Sequence, residues 1–219
     1  MTALGLETVL SALPFLLAGA LKTIEVVILA LFFGVLCGLV GGFAKLSNNR
    51  LLRGAAGVYV SVIRGTPFVV QLFFVYYGFP QFGLEVPAMV AAVGTLAFYS
   101  GSYQTEIVRG AIQSIERGQI EAAQALGFSY WQTMRLVVFP QALLRMLPPL
   151  GNEFVALTKN SALVSLVTVQ ELFLTAQMVI SSTFQNFAIF LTIGVMYYVM
   201  TSAVGALTQY LERRLKIYV

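Results

Sequence analysis

Five long apolar stretches follow one another along this chain, at about residues 22–44, 55–79, 88–108, 143–169 and 187–210. Each is long enough to cross a hydrocarbon core of roughly 30 Å as a helix. Hydrophobic residues make up 58% of the chain and charged residues 10%, where a soluble domain carries about 25% charged residues. So few polar side chains do not cover a water-facing surface, and lipid is the better solvent. The expected fold is all-α and integral to a membrane: five transmembrane helices in a single domain of residues 1–219. Residues 4–17 are apolar but short and contain Pro14, which predicts an interfacial helix lying on the bilayer. They carry Glu7 and no basic cluster ahead of the apolar run, unlike a cleaved signal peptide, so the segment reads as retained.

The basic residues orient these spans. Lys45, Arg50, Arg53, Arg109, Arg117, Arg135, Arg145, Arg213, Arg214 and Lys216 fall after spans one and three and in the C-terminal tail. The other two loops hold no Lys or Arg, and the N-terminal flank adds only Lys22. Lys and Arg collect on the cytoplasmic side. The N-terminus is therefore expected outside and the C-terminus in the cytoplasm. The same bias accounts for the net charge of +4 without nucleic acid. The sequence has no His and a single Cys, Cys37, inside an apolar run. That removes His-based triads, the His-rich zinc motifs and an intrachain disulfide, and no catalytic, metal or cofactor residue is assigned.

Several polar residues interrupt the spans. Arg64 lies about ten residues into the second, about 15 Å deep on a helix. It is followed by Gly65, Thr66 and Pro67, and Pro67 forbids a regular helical hydrogen bond there. A charge beside a helix break at membrane depth marks a cavity or pathway, although Arg64 tying helices together through freed carbonyls is a compatible reading. Gln71, two turns on, is expected to reach the same path. Glu106, near the end of span three, is a candidate for a substrate ammonium or for an inner-gate partner of Arg64. In span four, Glu153 and Lys159 are six residues apart and face different ways. Lys159, Asn160 and Ser161 fall near mid-membrane, where they offer donors and acceptors to a polar solute, and Glu153 lines the path or forms a structural ion pair. In span one, Gly34, Gly38, Gly41 and Gly42 give the small-residue spacing that lets helices approach closely. Aromatic residues at the far end of span two, Phe73, Phe74, Tyr76, Tyr77 and Phe79, read as an interfacial belt.

The polar segment of about residues 110–141 is too charged for lipid. Residues 120–126 are good helix formers, Gly127 is a C-terminal stop and Ser129 an N-cap for a second short helix. Ala122, Ala123 and Ala125 leave a slim helical knob suited to a groove; the plainer reading is a solvated connector.

The Glu-Ala-Ala…Gly…Pro pattern of this knob resembles the coupling loop of permease subunits in binding-protein-dependent ABC importers. Arg64-Gly65-Thr66-Pro67 with Gln71-Leu72-Phe73, Glu106-Ile107-Val108-Arg109, Asn152-Glu153-Phe154, Lys159-Asn160-Ser161 and Glu171-Leu172 resemble the polar amino acid branch. The resemblance covers residues 16–215. It implies a type I ABC importer permease with a short cytoplasmic coupling helix between helices three and four, in the bacterial inner membrane. It implies as partners an ABC ATP-binding subunit, a second permease chain (the same or related), an external amino-acid-binding protein, a polar amino acid substrate and membrane lipid. The chain has no G-x-x-x-x-G-K-[ST] loop, so ATP and Mg would sit on the partner subunit. Glu121, Ala122, Ala123 and Gly127 are then the ATPase-coupling residues. Arg64, Thr66, Pro67, Gln71, Glu106, Glu153, Lys159, Asn160 and Ser161 line the substrate path. The alternative is a self-sufficient channel or ion-coupled transporter, which would more often show inverted repeats.

Overall fold

A computed structural model describes residues 2–215, with side chains from Gly5 onward; Lys216 lies outside them. The first helix, α1 (Thr2–Leu46), has 45 residues and is about 67 Å long at 1.5 Å per residue. The separate interfacial helix expected for residues 4–17 is not formed, because α1 runs unbroken through Pro14. Pro14 lies on the exposed face, while Ala12, Leu16 and Ala20 are buried against Leu172, Ala176, Ile189 and Ile193. Burial along one continuous helix outweighs the hydrogen bond that proline removes.

The remaining helices are α2 (Arg50–Gly65), α3 (Phe68–Phe73), α4 (Ala88–Gln113), α5 (Arg117–Ala125), α6 (Tyr130–Thr133), α7 (Phe139–Asn160), α8 (Leu172–Thr183) and α9 (Asn186–Leu215). α3 continues through a π turn into a 3-10 turn ending at Phe82, α6 joins α7 through a π turn, and α7 runs into a 3-10 turn over Ser161–Val167. α1 and α9 are each long and apolar enough to cross a membrane, and the bent pairs raise the number to as many as four. The expected second span is such a pair, bent by 106° between α2 and α3. The expected fourth is bent by 54° where it meets α8, a helix the sequence reading left unassigned. α4, the expected third span, is long enough, but its middle is polar. Ser100, Ser102, Gln104 and Thr105 are all buried in the protein, so they never meet lipid.

α1 is the spine. Near its start it packs on α8 and α9 through Leu16 and Ala20. Val26, Val27 and Ala30 then enter a central cluster with Phe68, Leu72, Ala92, Leu96, Leu157 and Val164. Its far end, through Leu39 and Leu46, borders a third cluster of Val108, Ile112, Val138 and Met146. The glycines of α1 serve the contact with α4. A Cβ on Gly38 would lie 2.5 Å from Gln104 Cβ, one on Gly42 2.5 Å from Val108 Cγ1, and one on Gly41 would meet the Thr105 side chain. Gly101 of α4 answers them, since a Cβ there would lie 2.7 Å from Cys37 Cβ.

Candidate translocation site and coupling helix

The break between α2 and α3 is built by local chemistry. Thr66 precedes proline and is extended, with φ −120° and ψ 146°, as the proline ring requires. Pro67 then starts α3 with φ −64°. The carbonyls freed at the break are taken up from one side: the Gln71 amide donates to Ile63 O at 2.8 Å, to Thr66 Oγ1 at 2.8 Å and to Thr66 O at 3.2 Å. Thr66 Oγ1 donates to Val62 O at 2.9 Å. Gln71 was expected to reach the path; its amide is instead engaged in closing the bend.

Arg64, on the last turn of α2, lies over the Tyr103 ring at 4.7 Å. Tyr103 and Tyr99 hydroxyls are 3.2 Å apart, and the Tyr99 ring meets Phe68 edge-on at 5.3 Å between centroids. Glu153 of α7 lies near Ser100 and within electrostatic reach of Arg64. Arg64, exposed in the single chain, and Glu153, half-buried, thus both approach the stretch of α4 that carries Tyr99, Ser100 and Tyr103. Among the described residues no salt bridge within 4.0 Å joins the two, the ion pairs being Lys22–Glu25, Lys45–Glu106 and Arg109–Glu106. The tyrosines escaped the sequence reading, although their spacing of one helical turn on a span was available as a signal.

Other expected path residues lie elsewhere. Glu106 is not the partner of Arg64. It accepts from Lys45 at the end of α1 and from Arg109 Nε at 2.9 Å and Nη2 at 2.7 Å, tying α1 to α4 at the basic end of the bundle. Lys159 is exposed and lines a small recess with Phe173, Phe190 and Tyr197 of α8 and α9. Ser161 is fully buried and donates to Thr158 O at 2.7 Å, while Asn160 is half-buried at the end of α7.

A second unanticipated group is Glu171, fully buried at the N-cap of α8. Its carboxylate accepts from Leu174 N at 2.9 Å, from the Tyr197 hydroxyl at 2.8 Å and from Thr23 Oγ1 at 3.3 Å. Thr23 Oγ1 accepts in turn from Leu172 N at 3.1 Å. One carboxylate therefore joins α1, α8 and α9. The sequence does not reveal this junction, because Thr23 and Tyr197 are distant along the chain.

α5 forms where expected. It closes in a Schellman turn: Phe128 N donates to Ala123 O at 3.1 Å and Gly127 N to Gln124 O at 2.9 Å. Gly127 has φ +81°, a conformation glycine adopts at little cost. Ser129 and Gln132 form a reciprocal capping box that starts α6. Ala123 is buried, while Glu121, Ala122, Ala125 and Leu126 face outward.

A bundle of apolar helices long enough to cross a membrane, with a polar helix at its basic end, is that of a multi-pass membrane protein. The chain belongs to the family described as the binding-protein-dependent transport system inner membrane component, whose model matches residues 30–217. It is 40% identical over 208 residues to the glutamine transport system permease protein GlnP of Escherichia coli, covering 94% of this chain and 95% of that one. It is 34% identical over 214 residues to the arginine transport system permease protein ArtQ of Bacillus subtilis, covering 97% and 98%. Its fold matches a chain in the crystal structure of an amino acid ABC transporter with histidines, with TM-score 0.89 and 39% identity over 94% of this chain and 96% of that one. The MetNI methionine ABC transporter shares the fold, with TM-score 0.77 at 21% identity, over 92% and 96%.

Proposed function

We propose that this chain is the membrane-spanning subunit of an ATP-driven importer of polar amino acids, moving them inward by alternating access. Arg64 and Glu153 carry the reading. They are opposite charges beside the same stretch of α4 and, among the described ion pairs, not joined to each other. A zwitterion supplies the missing partners, its carboxylate toward Arg64 and its ammonium toward Glu153. The kinship with glutamine and arginine permeases supports the substrate class. The bend at Pro67 gives a place where irregular backbone borders a path rather than lipid. In this reading α5 is the coupling helix, seated in a groove of a separate ATPase subunit and carrying its closure to the spans through Glu121, Ala122 and Gly127. A second permease chain encloses the path, an external binding protein delivers the substrate, and five spans set the N-terminus outside and the C-terminus in the cytoplasm.

The test is uptake by vesicles reconstituted with the chain, its ATPase subunit and a binding protein, against a panel of amino acids. Glu153→Gln and Arg64→Gln are expected to cut uptake at least about tenfold, the loss of one charge-assisted hydrogen bond each, with the complex still assembled. Uptake that persists without the ATPase subunit refutes the energy source. Uptake unaffected by either substitution refutes the site.

A further inference from the structure

We propose that the recess between the ends of α1 and α4 and the start of α6 seats an anionic phospholipid, with an acyl chain inside it and the phosphate on Arg135. The inference needs only that the bundle sits in a membrane. The cavity is about 640 Å³. Its apolar walls are Phe43, Leu46, Ile112, Met134 and Phe139, the Phe43 and Phe139 rings stacking 6.5 Å apart. Arg135 and Ser47 also line it, and no carboxylate does. Arg135 joins none of the ion pairs among the described residues. A second cation stands beside the recess, because Arg53 Nη1 donates to Ser47 O at 3.4 Å. Trp131, 79% exposed, lines the same cavity, and an indole of this kind settles at headgroup level.

These features fit one occupant. A concave apolar slot accepts a hydrocarbon chain, two cations without a facing carboxylate attract a phosphate, and the aromatic residue marks the boundary between the two layers. A docked protein would more naturally meet the outward faces of α5, which project from this end of the bundle.

Native mass spectrometry of the purified full chain tests the proposal, after exchange into micelles holding equal phosphatidylglycerol and phosphatidylcholine. Phosphatidylglycerol is expected to be retained in excess, and Arg135→Gln to lower that retention about tenfold, as for one charge-assisted hydrogen bond. Ser47→Phe, which narrows the cavity and keeps the charge, lowers retention of both lipids. Arg213→Gln, on the last turn of α9, changes neither. Gel filtration and thermal unfolding report whether each variant is folded, and if Arg135→Gln is not, Ser47→Phe decides. Equal retention of the two lipids overturns the proposal, as does phosphatidylglycerol binding that survives both substitutions. If Arg135→Gln keeps its lipid in this assay but no longer copurifies with the ATPase subunit from co-expressing cells, the proposal is overturned and the recess is reassigned to protein docking.

Discussion

Replacing Gly38 by alanine tests the contact on which the bundle is built. The new methyl carbon would lie 2.5 Å from Gln104 Cβ and 3.2 Å from the Gln104 carbonyl carbon. Carbon atoms rest at about 3.8 Å, so α1 and α4 must part by about 1.3 Å or bend locally. Overpacking of this kind costs about 1–3 kcal/mol. Alanine also raises helix propensity by about 1 kcal/mol over glycine, which masks part of that cost. Gly94→Ala on α4 supplies the correction, because a Cβ there meets nothing within 4 Å and the variant gains propensity alone. Equilibrium unfolding of the two purified variants in detergent should therefore place Gly38→Ala about 1–3 kcal/mol below Gly94→Ala. Adding Gln104→Ala should not restore the loss, since the offending Cβ remains, whereas Gln104→Gly should recover part of it. Equal stability of the two glycine variants would refute close α1–α4 contact at this point.

Glu171→Ala removes the acceptor of three hydrogen bonds at a fully buried site and is expected to cost about 3 kcal/mol, against about 1 kcal/mol for Tyr197→Phe, both by thermal unfolding. Glu106→Gln leaves Lys45 and Arg109 facing each other at side-chain exposures of 21% and 35%, and should cost about 1–3 kcal/mol by the same measurement. Gly127→Val forces a β-branched residue to φ +81°, at a cost of at least about 1–2 kcal/mol. Transport per ATP hydrolysed should fall, while Gly127→Asn, which tolerates that conformation, should retain most coupling.

Much of this architecture was legible because its signals are local. The glycines of α1 share a helical face, so their spacing announced a close approach before α4 was known to fill it. Pro67 dictated a break, and Gly127 with Ser129 dictated the end of one helix and the start of another. What stayed hidden depended on partners far away in the chain. Pro14 argues for a boundary until the packing of Leu16 against α8 and α9 is seen. Glu171 stands in a stretch without an assigned helix until Thr23 and Tyr197 are seen to close around it. Glu106 seemed free to meet Arg64 because nothing in the sequence brings Lys45 beside it. Lys159 and Glu153 were separated correctly by helical periodicity, but periodicity does not say which of two faces meets Tyr99 and Tyr103.

The spine role of α1 bears on how the molecule is made. Ribosomes deliver a chain from its N-terminal side, so α1 enters the bilayer before any of the helices it holds. α4, with its polar middle, then arrives to find a glycine-lined surface already waiting for its serines and glutamine. Biogenesis can thus proceed as stepwise recruitment onto a template, and α9, which emerges after the other described helices, fastens the assembly by bringing Tyr197 to the carboxylate beside the first helix.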